Sequence, residues 1–437
     1  MNSMSIPHTS SARLQCPERH QPELFGRSQD DNLPPDHKVR AIWSYVDGLD
    51  LSAYLGQIKS VGGSSGHPAI DPRILLSLWL LAYTDSCSSA REIDRRCEAH
   101  LAYRWLCGGV GVNYHTLSDF RRHQEDLFSE LLTESVAALM HEGFVDLEEV
   151  AQDGMRVRAS AGSKTFRRGS TLAECLKHAQ EHVAALNATA DESDNKATPR
   201  QQAARERAAR ERQERIEAAI AAQKELAKRR AETAASKGVK SREPRASTTD
   251  ADAAVMKMGD GGFRPAFNVE LATDTKSGII VGVDVINVGS DRGQLVPMVE
   301  QLEERYETAP ERVLADGDFA TLDDIETLAT KQVEVVAPVK NAAKQQAKGI
   351  DPYQAKPTDG DGVKAWRLRM GEEATKAIYQ RRASTAEWVN ARARNMGMRQ
   401  FLVRGLDKVK AVVTLFALAS NMVQTFALRA ATAEQPA

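Results

Sequence analysis

Imidazole and thiol are missing from the second half of this chain. All ten histidines lie at or before His182, and the five cysteines are Cys16, Cys87, Cys97, Cys107 and Cys175. No two cysteines form a CxxC pair, and an odd count argues against a disulfide framework, so a reducing, cytosolic setting is expected. Cys97, His100, Cys107 and His115 match no common zinc spacing. A metal site in the second half must therefore be built from oxygen ligands, which selects Mg²⁺ or Mn²⁺ over Zn²⁺. Aromatic residues are scarce, at 5% of 437 residues, although the apolar share of 42% is ordinary for a globular chain. No run of about twenty apolar residues stands out, so no membrane span is expected. Residues 1–37 have no apolar core of signal-peptide type and are expected to form a disordered arm, with 431–437 a short tail.

Net charge is also nearly absent, at −2, but that figure hides an asymmetry. Residues 200–245 hold fourteen Arg or Lys against seven Glu, and residues 364–410 hold twelve against four acidic residues. Two basic regions on an otherwise acidic chain suggest a polyanion that touches only certain faces. Arginine-rich helices are also often simply solvated, so composition leaves both readings open.

Residues 38–145 read as helices. Asp71-Pro72 opens "DPRILLSLWLLAY" with proline in the first turn. Ser89 and Glu92 suggest a capping box for "REIDRRCEAHLAYRWLC", and Thr116 is expected to cap "LSDFRRHQEDLFSELLTESVAALMHEG". Short helices joined by glycine turns, one of them carrying Arg121 and Arg122, are compatible with a helix-turn-helix-like DNA reader or with a helical dimerisation domain. Residues 160–247 are Ala/Arg/Glu-rich and strongly helical by propensity. Their apolar positions are mostly alanine, so they bury little and read as an insertion, either a solvated spacer or a basic arm on DNA. Alternating strands follow at 263–274 and 278–287, joined as a hairpin. Further strands, "RVLADGDF" and "VEVVAPV", alternate with helices, and two helices close the chain. The order describes one mixed α/β domain, 146–430, interrupted after its first strand.

The informative carboxylates sit at the ends of elements. Asp153 is expected to close the strand in "EVAQDGMRVRAS", although Asp-Gly there also fits a plain turn. Asp316 closes "VLAD", and Glu387 lies on a helix among Arg381, Arg382, Arg392 and Arg394. Three carboxylates at neighbouring strand ends under a helix could hold two divalent ions for an in-line phosphodiester displacement, with the arginines on phosphate. Asp291, Asp318 and Asp323 compete with Asp316 as the second ligand.

The stretches "VAQDGMRVRASAG", "STTDADAAVMKMGDGGFRPAFNVELATD", "VLADGDFATLDDIE" and "YQRRASTAEWVNARARNMGMRQFLVRGLDKVKAVVTLFALASNM" resemble bacterial insertion-sequence transposases with a DDE catalytic domain. "HPAIDPRILLSLWLLAYTDSCSSAREIDRRCEAHLAYRWLCGG", with "HTLSDFRRH", resembles the helical domain that precedes it in that group. The resemblance runs in matching order from about residue 24 to 430. It implies an RNase H-like mixed sheet flanked by helices, with an all-helical N-terminal domain and a helical insertion after the first catalytic strand. It implies two Mg²⁺ or Mn²⁺ ions on Asp153, Asp316 and Glu387. Double-stranded DNA, as terminal inverted repeats and target, is the implied partner, with a homodimer pairing two ends in the bacterial cytoplasm at the nucleoid. Tyr379 and Arg382 fall on the group's tyrosine and arginine before the glutamate. Arg394 falls where many relatives carry lysine. Arg121, Arg122, Arg404 and Lys408 complete the expected DNA contacts. The rival reading is a catalytically inactive, transposase-derived DNA-binding protein.

Overall fold

The computed structural model describes residues 13–19, 28–61, 67–189, 198–237 and 243–433. Part of the anticipated N-terminal arm is held down. Strand β1 (Leu14–Gln15) pairs in parallel with β2 (Ala69–Ile70), and the Arg19 guanidinium lies 3.6 Å over Trp43 while donating to the Trp105 carbonyl. Gly108, at φ +55°, makes room for this segment, because a Cβ there would fall 2.7 Å from Pro17. The rest of the arm before residue 28, and the tail after 433, lie outside the described residues.

Seven helices follow: α1 (Lys38–Asp47), α2 (Ser52–Gln57), α3 (Pro72–Thr84), α4 (Ala90–Ala99), α5 (Leu101–Cys107), α6 (Tyr114–His123) and α7 (Glu125–His141). Side-chain caps set several starts: Asp71 on α3, Ser89 on α4 and Asn113 on α6. Asn113 caps α6 where Thr116 was expected, because its Oδ1 accepts the Thr116 N–H and starts the helix earlier. The two long helices expected here each break in two, at His100 and at Gln124.

The sheet begins with β3 (Glu149–Arg158). The chain then leaves it for the insertion: β4 (Phe166–Arg167), α8 (Gly169–Thr189), α9 (Pro199–Lys237) and β5 (Ala246–Ser247). Helices α8 and α9 pack as a hairpin, and β4 pairs with β5 across its base. Its apolar seam is small, centred on Leu172, Ala219 and Ala246. Strands β6 (Ala254–Lys257), β7 (Phe263–Asp274) and β8 (Ile280–Ile286), helix α10 (Leu295–Tyr306), β9 (Arg312–Leu314), α11 (Leu322–Thr330) and β10 (Glu334–Val336) follow. The last helices are α12 (Ala342–Gln346), α13 (Asp361–Gly371), α14 (Glu373–Arg382), α15 (Trp388–Asn395) and α16 (Leu406–Ala433).

Spatial order in the sheet is β10-β9-β3-β7, with β8 and β6 both on the far side of β7. β3, β9 and β10 run parallel, whereas β7 is antiparallel to β3, and β8 and β6 to β7. An antiparallel meander whose first strand is central and continues into two parallel strands is the RNase H-like arrangement. One expectation is corrected here: β3 does not end at Asp153. β7 pairs with it from Val150 to Arg158, so the backbone beyond Asp153 keeps a ladder partner and stays extended. What stops near Asp153 is the parallel neighbour, whose last pair is Ala151 with Leu314.

Helix α16 corrects another expectation. It is long and apolar enough to cross a membrane, with a mean hydropathy of 1.6 over its best window, but 72% of that window is buried in the protein. Its residues Ala411–Met422 are buried on every side, the pattern of a central core helix. α3, α6, α7 and β8 pack around it, and Asn421 closes the edge of β8 by accepting from the Ile280 N–H and donating to its carbonyl, both at 2.8 Å. The N-terminal helices and the antiparallel half of the sheet therefore share one core. A second core surrounds β9 and β10.

Candidate active site

In parallel strands, residues opposite one another point to the same face, and side chains alternate along each strand. Carrying the Ala151–Leu314 pair forward by two residues places Asp153 beside Asp316, on one face. Asp316 lies two residues past the end of β9, is exposed, and accepts the Asp318 N–H through Oδ1. Gly154 points to the other face and is not a turn. A Cβ there would lie 2.5 Å from Asp291 Oδ1 and 3.0 Å from Glu270 Oε1.

Glu387 reaches the same face as Asp153 from a π-helical turn, Ala383–Glu387, between α14 and α15. In an α-helix, residues five apart point in different directions, but an i→i+5 turn stacks them. The π turn thus brings Arg382 and Glu387 to one side. Arg382, buried, donates from Nη2 to Asp153 Oδ1 at 3.0 Å, and its Nη1 lies 4.0 Å from Glu387 Oε1. Asn390 Nδ2 donates to the second oxygen of Asp153 at 2.9 Å. Four residues upstream on β3, and on the same face, Glu149 accepts a bidentate pair from Arg381 at 2.8 and 2.6 Å. Adjacent arginines thereby fasten α14 to β3 at two points.

Burial pushes the Asp153 carboxyl above its ordinary range; Arg382 opposes this, and the charges of Asp291 and Asp316 add to it. The site thus calls for positive charge, which Arg382 now supplies. No cluster of three carboxylate, imidazole or thiolate groups is poised to hold a metal among the described residues, since Arg382 stands between Asp153 and Glu387. The donor set nevertheless fits a hard divalent cation. It is all oxygen, and Asn390 Oδ1, buried beside Asp153, has no hydrogen-bond partner.

The competing carboxylates are placed elsewhere. Asp318 pairs with Lys340 at 2.5 Å, Asp323 is exposed on the first turn of α11, and Asp291 sits on the opposite face with Asn268 and Arg156. Of the expected DNA contacts, Arg121 is corrected. It is 3% exposed, donates to the Ser88 carbonyl at 2.7 Å and lies 4.2 Å over the Trp79 ring, because α6 turns this residue toward the core. Arg382 is also buried and serves the carboxylates. Arg122 is partly exposed and paired with Asp119. Tyr379 is half-buried against the second core. Arg394 and Arg404 are exposed, and Lys408 lines a groove with Arg122 and Arg404. Sequence reading did not single out Arg381's bond to Glu149, or Asn390; their only signal is spacing of three or more from Glu387 on one helical segment.

Two family models match the chain: a transposase domain (DUF772) over residues 27–123 and a transposase DDE domain over 236–422. Together they span the greater part of it. Asp316 and Glu387 fall inside the second match. Asp153 lies between the two, and its place beside Asp316 comes from the sheet. No curated protein and no solved structure matches the chain.

Proposed function

Because the chain belongs to the transposases that carry a DDE domain, we propose that it binds the ends of a bacterial insertion element and catalyses metal-dependent DNA cleavage and strand transfer. The catalytic carboxylates are Asp153, Asp316 and Glu387. The observation that carries this is the register that sets Asp153 beside Asp316, with Glu387 reaching them across Arg382. Two divalent ions, Mg²⁺ or Mn²⁺, would be held by these carboxylates, and when bound they supply an activated water or 3′-hydroxyl and charge for the leaving oxygen. Asn390 orients Asp153, and the Arg381–Glu149 pair fixes α14 over β3. Arg382 balances the carboxylates. Arg122, Arg394, Arg404 and Lys408 take up backbone phosphates around it, with Tyr379 beside Arg382. The DNA is double-stranded, as terminal repeats and target. Residues 38–145 serve end binding and dimerisation, and 146–430 form the catalytic domain, with 160–247 inserted. A homodimer pairs the two ends in the bacterial cytoplasm, at the nucleoid.

Glu387→Gln tests this reading, because it keeps shape and removes the charge that a metal needs. The variant should bind element-end DNA as the unmodified protein does, while cleavage in Mg²⁺ or Mn²⁺ falls by orders of magnitude. Cleavage undiminished in Glu387→Gln would sink the assignment. Binding without cleavage by the unmodified protein, under either metal, would instead favour the inactive DNA-binding relative.

A further inference from the structure

The insertion hairpin meets the catalytic domain at a cavity that the carboxylate site does not use. Arg212 and Arg215 from α9, Thr248 and Thr249 after β5, and Arg404 ahead of α16 line about 280 Å³. Arg212 and Arg215 are three apart on a helix and so share a face, while Arg404 approaches from a segment nearly two hundred residues later. Three guanidinium groups and two hydroxyls converge on one space.

Their charges are largely uncommitted. Arg212 has no ion-pair partner among the described residues. Arg215 has one distant pair, with Glu211 at 3.8 Å. Arg404 uses only Nε, on the Ser160 carbonyl at 3.2 Å. The nearest acids on the catalytic side have other partners: Asp250 accepts the Gly405 N–H and Asp252 the Leu406 N–H, where they cap the start of α16. Glu211 and Glu214 line the adjoining groove of about 720 Å³. Arg215, Thr249 and Arg404 are common to both spaces, and Arg122 and Lys408 line the groove beside Asp250 and Asp252. Arg404 also faces the Asp250 carboxyl, yet three guanidinium groups drawn to one space with so few close counter-ions cost stability. A multivalent anion that fits them recovers that cost, and planar guanidinium forks match a phosphate best.

We propose that this cavity seats a backbone phosphate of the bound duplex, held by Arg212, Arg215 and Arg404, so that the insertion acts as a DNA clamp. The inference rests on the reading of the chain as a transposase and extends its DNA footprint onto the hairpin. From Asp153 to the end of β3 at Arg158 the strand advances about 17 Å, and Arg404 bonds to Ser160 just beyond it. The seat is therefore roughly half a duplex turn or more from the candidate active site, within reach of one continuous DNA segment.

R212A/R215A tests it, with R212K/R215K as the charge-retaining control. Alanine keeps α9 helical, and circular dichroism verifies that the variants fold. The probe is a duplex carrying the element ends, titrated by fluorescence anisotropy over a range of salt. Each lost phosphate contact should flatten the slope of log K against log salt by about 0.9, and R212K/R215K should restore it. Metal-dependent cleavage at saturating DNA should persist in R212A/R215A. Variants whose affinity and slope superimpose on those of a binding, cleaving unmodified protein would overturn the clamp and leave the transposase reading intact. An unmodified protein that neither binds nor cleaves would overturn both. Inorganic phosphate binding by calorimetry, lost in R212A/R215A while the DNA slope stays unchanged, would assign the cavity to a small anion and overturn the clamp.

Discussion

Replacing Glu270 with glutamine should make this protein more stable at neutral pH. Glu270 sits on β7, opposite Gly154 on β3 and Asp284 on β8, and is 0% exposed. Burial first, then the charge of Asp291, push its carboxyl up to about 9 from an ordinary 4.5. The folded chain therefore keeps this proton at pH 7.5, and the unfolded chain does not. A carboxyl raised in the folded state contributes stability that is complete below pH 4.5 and is lost as pH rises toward about 9. Each pH unit inside that window removes about 1.4 kcal/mol, so the step from pH 5.5 to 7.5 removes about 2.7 kcal/mol and the full loss at pH 7.5 is about 4 kcal/mol. Glutamine mimics the protonated acid and does not titrate. Its carbonyl can take the Asn268 Nδ2 bond now made to Glu270 Oε1 at 2.7 Å. Its amide can donate to Gln152 Oε1, which is buried and has no partner. Thermal unfolding of both proteins at pH 5.5 and 7.5 reads the difference. The unmodified protein should lose several degrees more than Glu270→Gln across that step, at roughly 2 °C per kcal/mol. Parallel pH dependence in the two proteins would refute the reasoning.

Arg121→Ala should lower stability by about 3 kcal/mol, since it empties a buried site against Trp79 and removes the donor to Ser88. The salt slope of DNA binding by the folded fraction should stay as it was; a slope reduced by one phosphate would show that Arg121 turns outward on DNA. Replacing residues 170–240 by a short flexible linker should leave β4 paired with β5 and the remainder unfolding as one cooperative unit. Broadened or split unfolding in that deletion would show that the hairpin is part of the core.

The order of elements was readable because hydrophobic period and turn chemistry are local properties. The alternation in 263–274 and 280–286, the capped start of α3 and the alanine-filled helices of the insertion all appear in the chain as short-range patterns. The three candidate carboxylates stand out in the sequence for a related reason, since two of them follow apolar strand sequences and the third sits in an arginine-rich helix. What sequence could not supply was direction. Arg121 and Arg122 are neighbours on α6, yet packing against Trp79 draws one inward and leaves the other at the surface. Asp153-Gly154 looks like a turn until β7 is laid beside it, and then the glycine is explained by Asp291 and Glu270 across the strands. Glu387 faces Arg382 only because one turn is π rather than α, a shift of a single hydrogen bond that composition does not encode. The apolar run of α16 is masked in the sequence by Thr414, Ser420, Asn421 and Thr425, yet all four are buried.

The DDE-domain match begins at residue 236, near the end of α9, so the first strand of the sheet lies outside it. β3 and β7 pair along nine residues although about 100 residues separate Arg158 from Phe263. Closing so long a loop would delay and weaken the pairing if the loop were unstructured. The hairpin folds locally, α8 against α9, and the β4–β5 pair fastens its base, so the effective loop between β3 and β7 is only about 24 residues. With closure cost scaling as (3/2)RT ln n, that difference is about 1.3 kcal/mol. A self-closing insertion at this point therefore costs the sheet little, and the register that sets Asp153 beside Asp316 is kept by the β3–β9 and β3–β7 ladders. A change in the length of the hairpin would leave these ladders, and so the place of Asp153 beside Asp316, as they are. Asp153 lies outside both family matches, and its place beside Asp316 rests on the β3–β9 ladder.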